Sequence, residues 1–117
     1  MVRLIMGLKG SGKTKKLVDL VCKAVDEGSG DVVVVENERS LTYDIPYRAR
    51  LVDAASYNIC SFELLKGFLC GIHAGNYDIT HFFIDNFLKI VNDKNEEVFA
   101  SFLTWLDGFA QREQIDF

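Results

Sequence analysis

The spacing of apolar residues changes several times along this chain, and each change predicts a new element. Residues 2–6 are a short apolar run, expected to be a strand, and a glycine-rich stretch follows at once. Beyond it Leu17, Leu20, Val21, Ala24 and Val25 recur at intervals of three and four, which marks one face of an amphipathic helix. Gly28 and Gly30 close that helix. Val32, Val33, Val34 and Val35 then form an unbroken β-branched run, as in a strand covered on both faces. Strand, helix and buried strand in that order predict a βαβ unit.

Over residues 36–59 the pattern weakens around the lone Pro46, with a third strand expected at Arg50, Leu51, Val52 and Asp53. Ser61 is a candidate N-cap for a helix whose stripe is Phe62, Leu65, Phe68, Leu69 and Ile72, ending near Gly75. Gly67, Gly71 and Gly75 fall four apart on one side of it, where a neighbouring backbone, either the sheet or a partner helix, can approach closely. His81, Phe82, Phe83 and Ile84 predict a short strand closed by Asp85. Asp93 with Glu96 resembles a capping box ahead of the strongest stripe, Val98, Phe99, Phe102, Trp105, Leu106 and Phe109, whose aromatics are expected in the core. Residues 114–117 read as the opening of a further strand.

Composition narrows the class. A chain of 117 residues, 49% of them apolar, supplies one packed core, so residues 1–117 are expected to form a single domain. No run approaches the roughly 20 apolar residues of a membrane span, and the apolar start is too short for a secretory signal, so a cytoplasmic protein is expected. Cys22, Cys60 and Cys70, an odd number at irregular spacing, argue against a disulfide framework and are expected as free buried thiols. Cys70 and His73 form a C-x-x-H, but the paired ligand spacings of a zinc site are lacking. The net charge of −4 disfavours broad binding to nucleic acid. Positive charge is instead local: Lys9, Lys13, Lys15 and Lys16, with Arg3 nearby, surround the glycine-rich stretch and suit a compact polyanion.

That stretch, Gly7, Leu8, Lys9, Gly10, Ser11, Gly12, Lys13 and Thr14, matches GxxxxGK[ST] at every fixed position and lies between an apolar strand and a helix start. Glycines there let successive N–H groups turn toward phosphate oxygens, and the helix adds the positive end of its dipole. In this reading Lys13 reaches the β- and γ-phosphates and the Thr14 hydroxyl ligates Mg²⁺; Lys9 either adds a second positive charge or points to solvent. Asp85, closing an apolar strand, has the Walker B form and would hold the metal's water shell. Asn86 follows it where many P-loop ATPases place a glutamate. An amide orients water but accepts no proton, so a general-base contribution of roughly 10²- to 10⁴-fold is expected to be absent unless another acid supplies it. Glu36, at the tip of the second strand, is the best substitute, since ligands of open α/β sheets collect outside those ends; the alternative is a solvated turn residue. Arg39 either meets substrate or phosphate or forms a surface salt bridge.

These motifs resemble the P-loop NTPase superfamily over the whole chain. The layout is most similar to the nucleotide-binding half of thymidine-kinase-type proteins, matching at Gly7, Gly12, Lys13, Thr14, Arg39 and Asp85, and it also resembles short, uncharacterised bacterial P-loop ATP-binding proteins. It departs from the thymidine-kinase type at Asn86, and the chain stops before that family's zinc-bearing lid. The resemblance implies a three-layer α/β/α domain with a small, mostly parallel sheet, cut short after the Walker B strand and its helix. In a RecA-like order residues 114–117 would fill a central position with a stub; the explanations are a truncated sequence, Walker B directly beside the first strand, or an edge completed by another copy, and the exposed edge favours self-association. The expected function is binding of ATP, or another nucleoside triphosphate, with Mg²⁺, accompanied by weak or partner-dependent hydrolysis, as a nucleotide-dependent switch read by a protein partner or within a homo-oligomer. A small kinase and a degenerate interaction module are the alternatives.

Overall fold

Four consecutive valines bury both faces of one strand, and the other elements assemble on it. The computed structural model of the protein describes residues 1–5, 12–37, 44–91 and 95–117. Its elements are α1 (Lys13–Glu27), β1 (Asp31–Glu36), β2 (Arg50–Asp53), a 3₁₀ turn (Ala54–Tyr57), α2 (Phe62–Ala74), β3 (Ile79–Ile84), the short α3 (Phe87–Ile90) and α4 (Glu96–Glu113). The strands form an open sheet in the order β2-β1-β3, with both pairings parallel. A central parallel strand needs cover on each side. Val33 and Val35 therefore meet Leu65 and Leu69 of α2 and Phe102, Leu106 and Phe109 of α4, whereas Val32 and Val34 meet Leu17, Val21 and Ala24 of α1.

The helix ends follow local chemistry. Gly28 adopts φ +63° and donates its N–H to Val25 O, closing α1. Ser61 Oγ accepts from the Leu64 N–H at 3.1 Å, as an N-cap should. At α4 the cap is Asn95, whose Oδ1 accepts from the N–H groups of Glu97 and Val98 at 2.9 and 3.3 Å. This corrects the expected capping box: Glu96 is the first helical residue and Asp93 lies outside the described residues. Val98, counted in the apolar stripe, is exposed.

Residues 1–5 carry no regular strand, contrary to expectation, yet their backbone is paired. Arg3 N donates to Phe117 O and Phe117 N donates to Met1 O, at 2.9 and 2.8 Å. Asp116 in turn exchanges backbone bonds with Thr80 and Phe82 of β3, a parallel bridge to His81. The segment 115–117 thus lies between β3 and the first residues of the chain. The alternative that set β3 directly against the first segment is not the arrangement observed. Phe117 stacks on Phe82 at 5.1 Å between ring centroids, so this narrow ribbon is fixed by side chains as well as by backbone bonds.

Two further expectations are corrected. Cys60 and Cys70 are exposed and only Cys22 is partly covered, so the thiols are free but not buried. The glycine-bearing side of α2 does not pack on the sheet: a Cβ at Gly67 or Gly71 would meet nothing within 4 Å. Close approach occurs at Gly30 instead, where a Cβ would lie 2.7 Å from Asp78 O and against the Thr80 methyl. The backbone there is tied by Asp31 N donating to Asp78 O at 2.9 Å, so it has little room to yield. Gly30→Ala is expected to destabilise the protein by about 1–3 kcal/mol in urea unfolding. A change within measurement error would refute this account of the β1–β3 entry.

Candidate functional site

Parallel pairing brings the carboxyl ends of the three strands to one edge. Register sets Glu36 beside Asp53, and Val35 beside Ile84, so Asp85 follows next to Glu36. Asp85 N donates to Val35 O at 2.9 Å, which continues the β1–β3 pairing to that point. Glu36 has no exposed surface and Asp85 is 7% exposed. Asp53 is engaged locally: Oδ1 accepts from Ala55 N at 3.0 Å and Oδ2 from the Ser56 hydroxyl at 2.7 Å, capping the 3₁₀ turn.

The charge of Lys13, at the amino end of α1, acts on Asp85 at this edge. Gly12 occupies the N-cap position with φ +83°, a left-handed conformation that only glycine adopts readily, and its carbonyl accepts from Lys16 N at 3.1 Å. Among the described residues no side chain caps the helix, and its first turn holds no acid. Lys13, Lys15 and Lys16 crowd there instead, adding positive charge where the helix dipole is already positive. Such an end disfavours the helix unless an anion offsets it. Of the sequence-derived residues, Gly12, Lys13 and Thr14 thus open α1; Gly7, Leu8, Lys9, Gly10, Ser11 and Arg39 lie outside the described residues.

Asp85 is poised between opposing influences. Burial raises its pKa above the ordinary 3.8, and the positive charges of Lys89 and Lys13 and a backbone hydrogen bond from Asn86 pull it back. The influence of Lys13 on Asp85 ties the start of α1 to the end of β3. Asn86 plays a backbone role as well as a chemical one. It sits at φ +54°, its carbonyl accepts from Lys89 N and Ile90 N at 2.8 and 3.2 Å to start α3, and its amide donates to Asp85 Oδ2 at 3.1 Å. Asparagine tolerates the left-handed region better than glutamate, so the conformation of this turn itself favours an amide here.

Sequence reasoning missed Asp53 and Lys89. Each left a signal: Asp53 closes an apolar strand as Asp85 does, and Lys89 follows Asp85 by one helical turn. His73 of the C-x-x-H is 8% exposed and packs edge-on against Tyr77 and Phe109, with Nε2 3.8 Å from Glu113 Oε2, and among the described residues no group of three or more His, Cys, Asp or Glu is placed to hold a metal ion. Among the described residues no helix is long and apolar enough to cross a membrane. Comparison with protein-family models, with curated proteins and with solved structures returned no match.

The raised pKa of Asp85 has a consequence for stability. The folded state holds this proton to a higher pH than the unfolded chain does. The contribution is therefore present below 3.8 and lost as pH rises through the raised folded value. Without added ligand, Asp85→Asn is expected to raise Tm by a few degrees at pH 7, with the gap closing as pH falls below 3.8. Thermal unfolding of both proteins across that range tests it, and a variant less stable at every pH contradicts it.

Proposed function

We propose that this chain is a P-loop protein of three-layer α/β/α architecture that binds a magnesium nucleoside triphosphate, ATP in the first instance, and hydrolyses it weakly. The observation that carries the reading is the start of α1. An uncapped helix end with three lysines in its first turn, preceded by Gly12 in a left-handed conformation, has excess positive potential and N–H groups to offer a polyphosphate. The sequence of residues 7–14 agrees with that chemistry.

In this reading Lys13 neutralises charge on the β- and γ-phosphates, and the Thr14 hydroxyl and the Asp85 carboxylate hold the metal and its water shell. If held there, Mg²⁺ would supply positive charge to offset that of the phosphates. The residues fit it: Asp85, whose burial favours the neutral form, is returned to the carboxylate by a neighbouring cation. Asn86 orients water without accepting its proton, which limits the chain to slow turnover and suits a switch read by a partner.

One observation favours a second reading, phosphoryl transfer to an acceptor. Glu36 is buried at the tip of β1, next to the tip of β3 that carries Asp85. Glu36→Gln separates the two: loss of the residual turnover with retained nucleotide affinity supports the base, and unchanged turnover removes it.

Calorimetry with ATP, GTP and dTTP in Mg²⁺ tests binding. Saturable binding weakened roughly 10- to 100-fold by Lys13→Ala is expected, the effect of removing a charged hydrogen-bond donor. Steady-state hydrolysis is expected well below the roughly 1–10³ s⁻¹ common among enzymes. The absence of binding to all three nucleotides, or affinity indifferent to Lys13, contradicts the proposal.

A further inference from the structure

The opposite end of the sheet is built differently. β2 begins opposite Val33, so Asp31 and Val32 of β1 have no strand on that side. A notch of about 480 Å³ opens there, bounded by β1, the start of β2 and the last turn of α2. This is within the range of roughly 300–1,000 Å³ that bound ligands occupy, and it is open enough to admit a chain segment.

Its charge runs against that of the protein. The net charge is −4, yet Arg48 and Arg50 both line the notch, and neither guanidinium forms an ion pair or hydrogen bond among the described residues. The one acid lining it, Asp31, accepts a 2.8 Å hydrogen bond from Asn76 Nδ2. On the α2 wall Gly71 presents no side chain and Ile72 offers an apolar one. Tyr47 is 92% exposed and Tyr77 is 78% exposed, and each adjoins a lining residue in sequence. Tyrosine and arginine are the residues in which interfaces concentrate their binding energy.

We propose that this notch docks a short acidic segment of a partner protein, with carboxylates on Arg48 and Arg50 and an adjoining apolar side chain against Ile72, between Tyr47 and Tyr77. Two arginines without a partner among the described residues, beside an apolar wall, complement such a segment. They do not make the broad basic surface that a nucleic-acid backbone needs on a chain of net negative charge. The notch lies at the amino ends of the strands, away from Glu36 and Asp85, so the inference does not depend on nucleotide binding.

A displayed library of short random peptides, selected on the 117-residue protein without nucleotide, provides the probe. The expected consensus places two or more acids beside an aromatic or aliphatic residue. A synthetic peptide of that consensus should bind by fluorescence anisotropy, weaken with added salt, and shift the amide resonances of Gly71, Gly75 and Asn76. Arg48→Glu combined with Arg50→Glu, checked for native circular dichroism, should weaken it at least about tenfold. Should that variant fail to fold, Arg48→Gln with Arg50→Gln should give a loss in the same direction. Recovery of no binder, a consensus without acids, equal affinity for the charge-altered protein, or tighter binding of a single-stranded RNA oligomer to the same amides would overturn the proposal.

Discussion

Burial of β1 on both faces is the constraint from which the rest of the molecule follows. Alternate side chains of a strand point to opposite faces, so Val33 and Val35 require α2 and α4 while Val32 and Val34 require α1. Each fully buried valine contributes about 1.5–3 kcal/mol relative to exposure, more than any surface ion pair in the chain can supply. Because β1 is paired in parallel on both sides, its carboxyl end must lie beside the ends of β2 and β3. The same packing that makes the core therefore gathers Asp53, Glu36 and Asp85 along one edge.

The two ends of the sheet have acquired opposite characters. At the carboxyl end, acids gather near a helix start loaded with lysines, an arrangement that leaves Asp85 balanced between burial, which favours its neutral form, and nearby positive charge, which favours the carboxylate. At the amino end the late start of β2 leaves a gap bordered by arginines and by the α2 wall of Gly71 and Ile72. Neither feature improves the core. Lysines at a helix amino end add to the positive end of its dipole, and among the described residues the Arg48 and Arg50 guanidiniums have no partner.

Much of the fold was legible because it rests on periodicity. The valine run, the stripe of α2, the third strand at Arg50–Asp53 and the Ser61 cap each have a local cause that the sequence displays. What was not legible depends on neighbours. Asn95 rather than Asp93 caps α4, a choice between two polar residues only two apart. Gly67 and Gly71 face open space although their spacing suits close contact, because nothing in a spacing says which side of a helix meets the sheet. The pairing of residues 1–3 with Phe117 joins opposite ends of the chain and has no local signature. At the candidate site, the helix start at Gly12 and the strand end at Asp85 were readable from motif and pattern. The left-handed turn at Asn86, which gives that residue a backbone reason to be an amide, became visible only in three dimensions.

The central claim is that the amino end of α1 and the tip of β3 form one phosphate and metal site. Amide chemical shifts followed during titration with Mg-ATP test this most directly. Saturable shifts concentrated at Gly12, Lys13, Thr14, Asp85 and Asn86 are the predicted result. No shifts, or shifts centred on Arg48, Gly71 and Asn76 at the other end of the sheet, would contradict it.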